Sequence, residues 1–202
     1  MTTLLCTITD LEELLQLTIS TATQVSAAQA AITEASAAIR GYCHQMLTPV
    51  TDEVITLDGN GGTHMLLPEL PVTSVVSVVE NDKALVVDDD YRLGRYGVLY
   101  RIGTVWASGV QNIVVTYSHG YTTLPDDVVG VCARAAARRY QAGLRAAMNA
   151  GVPGIVSTQL GDYSVTFGSE QGSGGEGVLG VSAASILLRS EREVLARYRR
   201  NP

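Results

Sequence analysis

Four groups of residues carry side chains capable of chemistry. His119 stands in Tyr117-Ser118-His119-Gly120-Tyr121, at the exit of a strand and before a helix, where a general base can reach a substrate. A base needs an orienting carboxylate and a group to activate, and only acids distant in sequence are on offer. His119 therefore reads as capping or packing a strand-to-helix corner, with Gly120 at positive φ. Cys43-His44, with Cys132 or His64, offers metal-ligand types, but adjacent helical residues point about 100° apart and no pair has metal-site spacing. The three cysteines, Cys6, Cys43 and Cys132, are far apart and include no C-x-x-C pair. They read as buried, reduced thiols, with neither a disulfide framework nor a zinc site. Gly59-Asn60-Gly61-Gly62 lacks the Gly-Lys-Ser/Thr ending of a phosphate loop and precedes a strand, so it reads as a hairpin turn. Asp88-Asp89-Asp90 lacks the alternating acids and distal Glu of a calcium loop, which leaves a solvated acidic turn. No catalytic residue, cofactor or metal site is predicted.

The elements that must position these residues follow from periodicity. Asp10 and Glu13 have capping-box spacing and open a helix over 10–17 with Leu11, Leu14 and Leu15 on one face. A second helix is predicted over 22–46. Its Val25, Ala28, Ile32, Ala35, Ile39, Tyr42 and Met46 recur at spacings of three and four, a heptad seam for ring or bundle packing, and its many alanines let a neighbouring helix approach closely. From 53 to 118 the period becomes two. Strands are predicted over 54–57, 64–67, 73–80, 84–87, 91–93, 98–102 and 111–117, forming an antiparallel sheet or small open barrel, with Pro68 and Pro71 marking a crossover or edge. A third helix begins near Pro125, with Asp126 and Asp127 at its positive end, and runs to about residue 144. A hairpin over 155–160 and 163–167, a Gly/Ser-rich linker over 169–177 and a basic amphipathic helix over 182–200 complete the chain.

With 202 residues, 46% hydrophobic and 17% charged, and a mean hydropathy of +0.17, the chain is globular and too apolar for disorder. No apolar run reaches the ~18 residues of a membrane span and no signal peptide is recognisable, so a soluble, cytoplasmic protein is expected. Residues 1–130 carry 5 basic and 15 acidic side chains, residues 131–202 carry 9 and 5. An acidic body argues against general duplex binding. It suits subunits that meet head to tail, or a basic tail that docks on an acidic partner.

Taken in order, these motifs resemble the head-to-tail connector adaptor proteins of long-tailed bacteriophages. The likeness starts in Ala38-Ile39-Arg40-Gly41-Tyr42-Cys43 and runs through Leu57-Asp58-Gly59, Leu67-Pro68-Glu69-Leu70-Pro71-Val72, Asp90-Tyr91, and Trp106 with Gly109. Its most telling stretch is Val115-Thr116-Tyr117-Ser118-His119-Gly120-Tyr121 with Pro125-Asp126-Asp127, and it closes on Glu191-Arg192, Leu195 and Tyr198-Arg199-Arg200. The resemblance implies an α+β fold: an antiparallel helical bundle with an inserted antiparallel β-domain and a tethered C-terminal helix. The divisions would be N-terminal bundle helices (1–50), the β-domain (51–121), a third bundle helix (122–150), hairpin and linker (151–181), and a docking helix (182–202). It further implies a structural virion protein, not an enzyme, made in the host cytoplasm and placed at the head-tail neck with no membrane contact. About twelve copies would form a ring between the capsid portal protein and the downstream neck or tail protein, with genomic double-stranded DNA passing through without sequence-specific binding. The alternative is a stopper or tail-completion protein lower in the neck. Leu188, Arg192, Leu195, Tyr198 and Arg199 are assigned to portal docking, and deletion of 178–202 is expected to abolish it while leaving the body folded. Asp88, Asp89 and Asp90 are assigned to a channel or tail-side acidic surface.

Overall fold

The computed structural model describes residues 3–149, 157–160, 163–166 and 186–200. Helix α1 (Ile8–Leu15) is capped at Thr7, three residues before the expected cap. Thr7 Oγ1 accepts from the Asp10 N–H at 3.2 Å, and the Asp10 carboxylate accepts from the Thr7 N–H at 2.6 Å. Asp10 is thus the acidic member of the box rather than its cap. Thr7-x-x-Asp10 and Asp10-x-x-Glu13 share one spacing; the upstream pair forms, and Ile8 and Leu11 pack in the helical core. Helix α2 (Ala22–Cys43) opens on a Thr21/Gln24 box and stops three residues short of the predicted end, because His44 turns left-handed at φ 53°. Helix α3 (Asp126–Asn149) outruns its predicted end at 144, since Arg145, Ala146 and Ala147 are strong helix formers and the first breaker is Gly151. None of the described helices is long and apolar enough to cross a membrane.

The fold is α+β, with two hydrophobic cores among the described residues. In the first, Ala28, Ala31, Ile32, Ala35 and Ile39 of α2 meet Val128, Val131, Cys132, Ala135, Ala136 and Tyr140 of α3, with Leu11 of α1 beside them. Small side chains dominate both faces, so the helices pack closely along the predicted seam.

The second core lies between two sheets. One contains β1 (Val50–Gly59), β3 (Val72–Glu80), β4 (Lys83–Leu85) and β7 (Gly109–His119) in the order β1-β7-β3-β4, and the other contains β2 (His64–Leu66), β5 (Tyr91–Leu93) and β6 (Val98–Arg101) in the order β2-β6-β5. All of these strand pairs are antiparallel. In central strand β7, buried Ile113, Val115 and Tyr117 alternate with half-buried Val114 and Thr116, as period two requires. Trp106, fully buried, sits among them with Leu67, Val78, Tyr91 and Leu99. The loop at Gly59-Asn60-Gly61-Gly62 is not a hairpin turn: β1 pairs with β7 and β2 with β6, so this loop carries the chain from one sheet to the other. Gly59 is required there because a Cβ would stand 1.7 Å from the Ala107 carbonyl oxygen. Residues 67–71 return the chain to the first sheet, as the prolines predicted.

Strands β8 (Ser157–Leu160) and β9 (Tyr163–Thr166) pair antiparallel, as the expected hairpin requires; its turn at 161–162, its outer ends at 155–156 and 167, and the linker at 169–177 lie outside the described residues. The predicted helix over 182–200 is shorter, comprising α4 (Arg189–Leu195) and a 3₁₀ turn over Ala196–Tyr198, with 182–185 also outside the described residues. This segment packs on its own chain: Leu187 and Leu195 are 5% and 0% exposed within the helical core.

Candidate functional site

His119 has a partner that no local pattern reveals. Its Nε2–H donates to Glu53 Oε2 at 2.7 Å, and the imidazole is 1% exposed. A bulge in β1 between Val50 and Glu53, with Asp52 at φ 52°, sets Glu53 opposite Tyr117 instead of Thr116. That single extra residue moves Glu53 from the outward to the inward parity of the sheet and brings it to His119. Asp52 turns outward, where its N–H donates to Ser118 Oγ at 3.0 Å. Among the described residues, His119 Nδ1 and the Tyr117 hydroxyl are buried without a hydrogen-bond partner, with their rings 5.1 Å apart. Burial pushes the Tyr117 phenol up to about 12. The chain then turns at Gly120 (φ 95°), whose N–H donates to the Pro71 carbonyl at 2.9 Å. This is the packed corner that the sequence predicts.

The acidic turn is built inward as well as outward. Asp90 Oδ2 accepts from the Val86 N–H at 2.9 Å, and Arg101 reaches both the Asp90 carbonyl at 2.6 Å and Oδ1 at 3.4 Å. Arg101 also pairs with Glu80 at 3.1 Å and lies 5.6 Å from the Trp106 ring. Asp88 (φ 66°) pairs with Arg92 at 2.9 Å across solvent, while Asp89 is exposed. Of the three acids assigned to a channel surface, Asp90 therefore holds its own loop. The Val86 N–H and the Arg101 guanidinium keep its carboxyl below the ordinary value. A depressed carboxyl stabilises the fold above its unfolded pKa of about 3.9 and loses that contribution as pH falls through the lower, folded value. In urea titrations, Asp90→Asn is expected to lower the midpoint at pH 7, with the gap to wild type narrowing as pH falls below about 3.9.

The C-terminal segment crosses the seam between helices and sheets and is held there at several points. Arg138 of α3 grips Glu191 through both oxygens, at 2.7 and 2.6 Å, and donates to the Ile186 carbonyl at 3.0 Å. Glu191, 4% exposed, also accepts from the Leu188 N–H at 2.9 Å. The Tyr198 hydroxyl donates to Asp127 at 2.8 Å, Arg197 pairs with the same carboxylate at 3.3 Å, Arg199 stacks 5.4 Å from the Tyr42 ring, and the Arg200 N–H donates to the Cys43 carbonyl at 2.9 Å. Burial, with donation to Asp127, pushes the Tyr198 phenol up to about 12. Gln45 ties the seam together, donating to the Tyr198 carbonyl at 2.8 Å and accepting from the Leu70 N–H at 3.1 Å.

Beside this seam lies an open groove of about 500 Å³, lined by Gln45, Leu70, Tyr96, Tyr121, Arg197 and Tyr198 among others. Tyr96, 80% exposed at φ 60°, forms its outer lip. The residues assigned to portal docking divide here. Leu195 is fully buried in its own chain and cannot be presented to a partner in this arrangement; Leu188 and Tyr198 are half-buried; Arg192 and Arg199 are at the surface. Of the assigned packing residues, Ala28, Ile32 and Ile39 are buried and Val25 is half-buried against the same intrachain core. Among the described residues, no cluster of His, Cys, Asp or Glu could hold a metal ion. The arrangement places arginine and tyrosine side chains beside the groove.

Three solved structures are similar at low identity. A chain in the neck of an empty gene transfer agent (GTA) particle computed with C6 symmetry is 18% identical, with 57% of this chain and 67% of that one covered and a TM-score of 0.44. A chain in the virion of a native GTA particle is 17% identical, with 66% and 76% covered and a TM-score of 0.49. A chain in the neck of a native GTA particle computed with C12 symmetry is 16% identical, with 96% and 88% covered and a TM-score of 0.48. No curated protein matches the chain. The family model described as head completion protein matches residues 4–134, which span α1, α2, both sheets and the first turns of α3, and the chain belongs to that family.

Proposed function

We propose that this chain is a structural subunit of the neck of a phage-like virion, assembled as a ring of about twelve copies that joins the capsid portal to the tail or the next neck protein. Membership of the head completion family over residues 4–134 carries the reading. The charge distribution supports it: residues 1–130, with 5 basic and 15 acidic side chains, would repel DNA and let it slide through the ring without being held. Asp89, at the exposed tip of the acidic turn, faces the channel or the tail-side partner. The basic surface of the C-terminal segment, with Arg192 and Arg199, meets the portal while Leu195 and Glu191 keep the segment seated.

The test is the mass of the assembly formed when this protein is mixed with portal rings from the same genome, beside the mass of the protein alone. An increment of about twelve chains per ring is expected. Absence of association between folded partners overturns portal attachment and favours a stopper or tail-completion position, tested next with the tail-side protein.

A further inference from the structure

Cys6 and Cys132 are 126 residues apart in the chain, yet their sulfur atoms lie 3.1 Å apart. Cys6 precedes α1 and Cys132 is in the second turn of α3; they are 4% and 0% exposed. Their surroundings fix both. Ser36 Oγ of α2 lies 3.5 Å from Cys132 Sγ and accepts from the Leu5 N–H at 3.1 Å, so the residue before Cys6 is anchored to the hydroxyl that touches Cys132. Arg40 of α2 donates to the Thr3 carbonyl, holding the same segment. The hydrogen bond from Cys6, helped by Ser36 and the Arg40 charge, draws the Cys132 thiol below its ordinary value, while Cys6 is held above its own. Within the pair, Cys132 is the better thiolate and Cys6 keeps the proton. Cys43 is buried at the end of α2, and burial pushes its thiol up to about 11.

We propose that Cys6 and Cys132 are a redox-active pair that closes to a disulfide on meeting a small-molecule disulfide, stapling the N-terminal segment to α3. The Cys132 thiolate attacks one sulfur of the small disulfide and expels its partner as a thiolate, leaving a mixed disulfide on Cys132. Cys6 gives up its proton and attacks the Cys132 sulfur, expelling the second small thiolate. Two protein thiols are oxidised by two electrons in all, and the small disulfide gains both electrons and both protons as two thiols. Closure needs the sulfur atoms to approach by only about 1 Å. Access comes through local opening of the segment before α1, which a few hydrogen bonds hold. The closed loop would enclose residues 6–132, nearly all of the span matched by the family. A particle leaving a reducing cytosol would gain a covalent tie on release; that benefit rests on the neck reading, whereas the chemistry of the pair does not.

The experiment incubates the reduced full-length protein with oxidised glutathione at mildly alkaline pH, then denatures, alkylates and weighs it. Alkylatable cysteines are expected to fall from three to one, with digestion giving a peptide that joins Cys6 to Cys132 and an alkylated Cys43. Cys43→Ala should close in the same way, and Cys6→Ala should stop at a glutathione adduct. The melting temperature should rise on the order of 10 °C and return with reductant. Three thiols still alkylatable in the wild type, a persistent glutathione adduct on its Cys132, or a cross-link through Cys43 would each overturn the proposal. The wild-type peptide map decides the question even if Cys6→Ala fails to fold, and a failure to bind portal rings leaves it untouched.

Discussion

Removal of residues 186–202 is expected to lower the unfolding free energy by about 3–6 kcal/mol, from the loss of two buried leucines at about 1.5–3 kcal/mol each. Leu187 and Leu195 fill the helical core at 5% and 0% exposure, and Arg138 loses the carboxylate that it grips through both oxygens. Arg138, already 33% exposed in the pair, is uncovered to water by the same deletion, so the lost ion pair adds little to the cost of the two leucines. A loss of this size is a large share of a typical domain's stability of about 5–15 kcal/mol. Urea unfolding followed at the single tryptophan, Trp106, and by far-ultraviolet helical signal would check it, with both midpoints expected to fall. Arg189→Ala is the control: its side chain is 95% exposed and its ion pair with Glu193 spans solvent, so its effect should stay within about 0.5 kcal/mol. Unchanged midpoints in the shortened chain would mean that the segment contributes nothing to the body, as the sequence reading expected of a tethered arm. Portal-binding experiments are therefore better made with Arg192→Ala and Arg199→Ala, which leave Leu195 seated, than with a truncation that weakens the whole helical layer.

The difference between tethered and seated marks where sequence reasoning reaches its end. Leu187, Leu195 and Tyr198 on one side of a helix and arginines on the others predict an apolar face that must be covered, but periodicity is the same whether the cover is a partner or the chain's own α2 and α3. Elements were legible because they are local. Seven strands between 50 and 119 announced themselves by alternation and by Gly and Asn-Asp punctuation, and the α2 seam by spacings of three and four. Pairings were not. Glu53 reaches His119 only because one bulge flips its parity, and Cys6 meets Cys132 only because α1 lies against α3. Neither event leaves a trace within a window of ten residues. The α1 cap failed differently: Thr7 and Asp10 offer the same motif in overlapping registers, and tertiary packing of Ile8 and Leu11 accompanies the upstream one.

One residue type, substituted at two places, should give effects of opposite sign. Gly120→Ala is expected to destabilise the chain by about 3 kcal/mol or more. Its φ of 95° is open to glycine alone at little cost, and an added Cβ would stand 2.2 Å from the Thr48 carbonyl oxygen and 3.0 Å from Pro49 Cα. Both obstacles are backbone, so no side chain can swing aside. The corner cannot yield readily either, because Gly120 and Tyr121 donate to the Pro71 and Leu47 carbonyls at 2.9 Å each, tying the end of β7 to the residues that follow α2 and to the crossover into β3. Gly143, inside α3, has nothing within 4 Å of where a Cβ would go. Gly143→Ala should therefore stabilise by about 0.5–1 kcal/mol, through helix propensity and a less flexible unfolded chain. Thermal unfolding of the two variants beside wild type measures both. A neutral Gly120→Ala would mean that the junction between the helical and β regions is loose, and the fixed surface that Gln45, Tyr121 and Tyr198 present beside it would lose its basis.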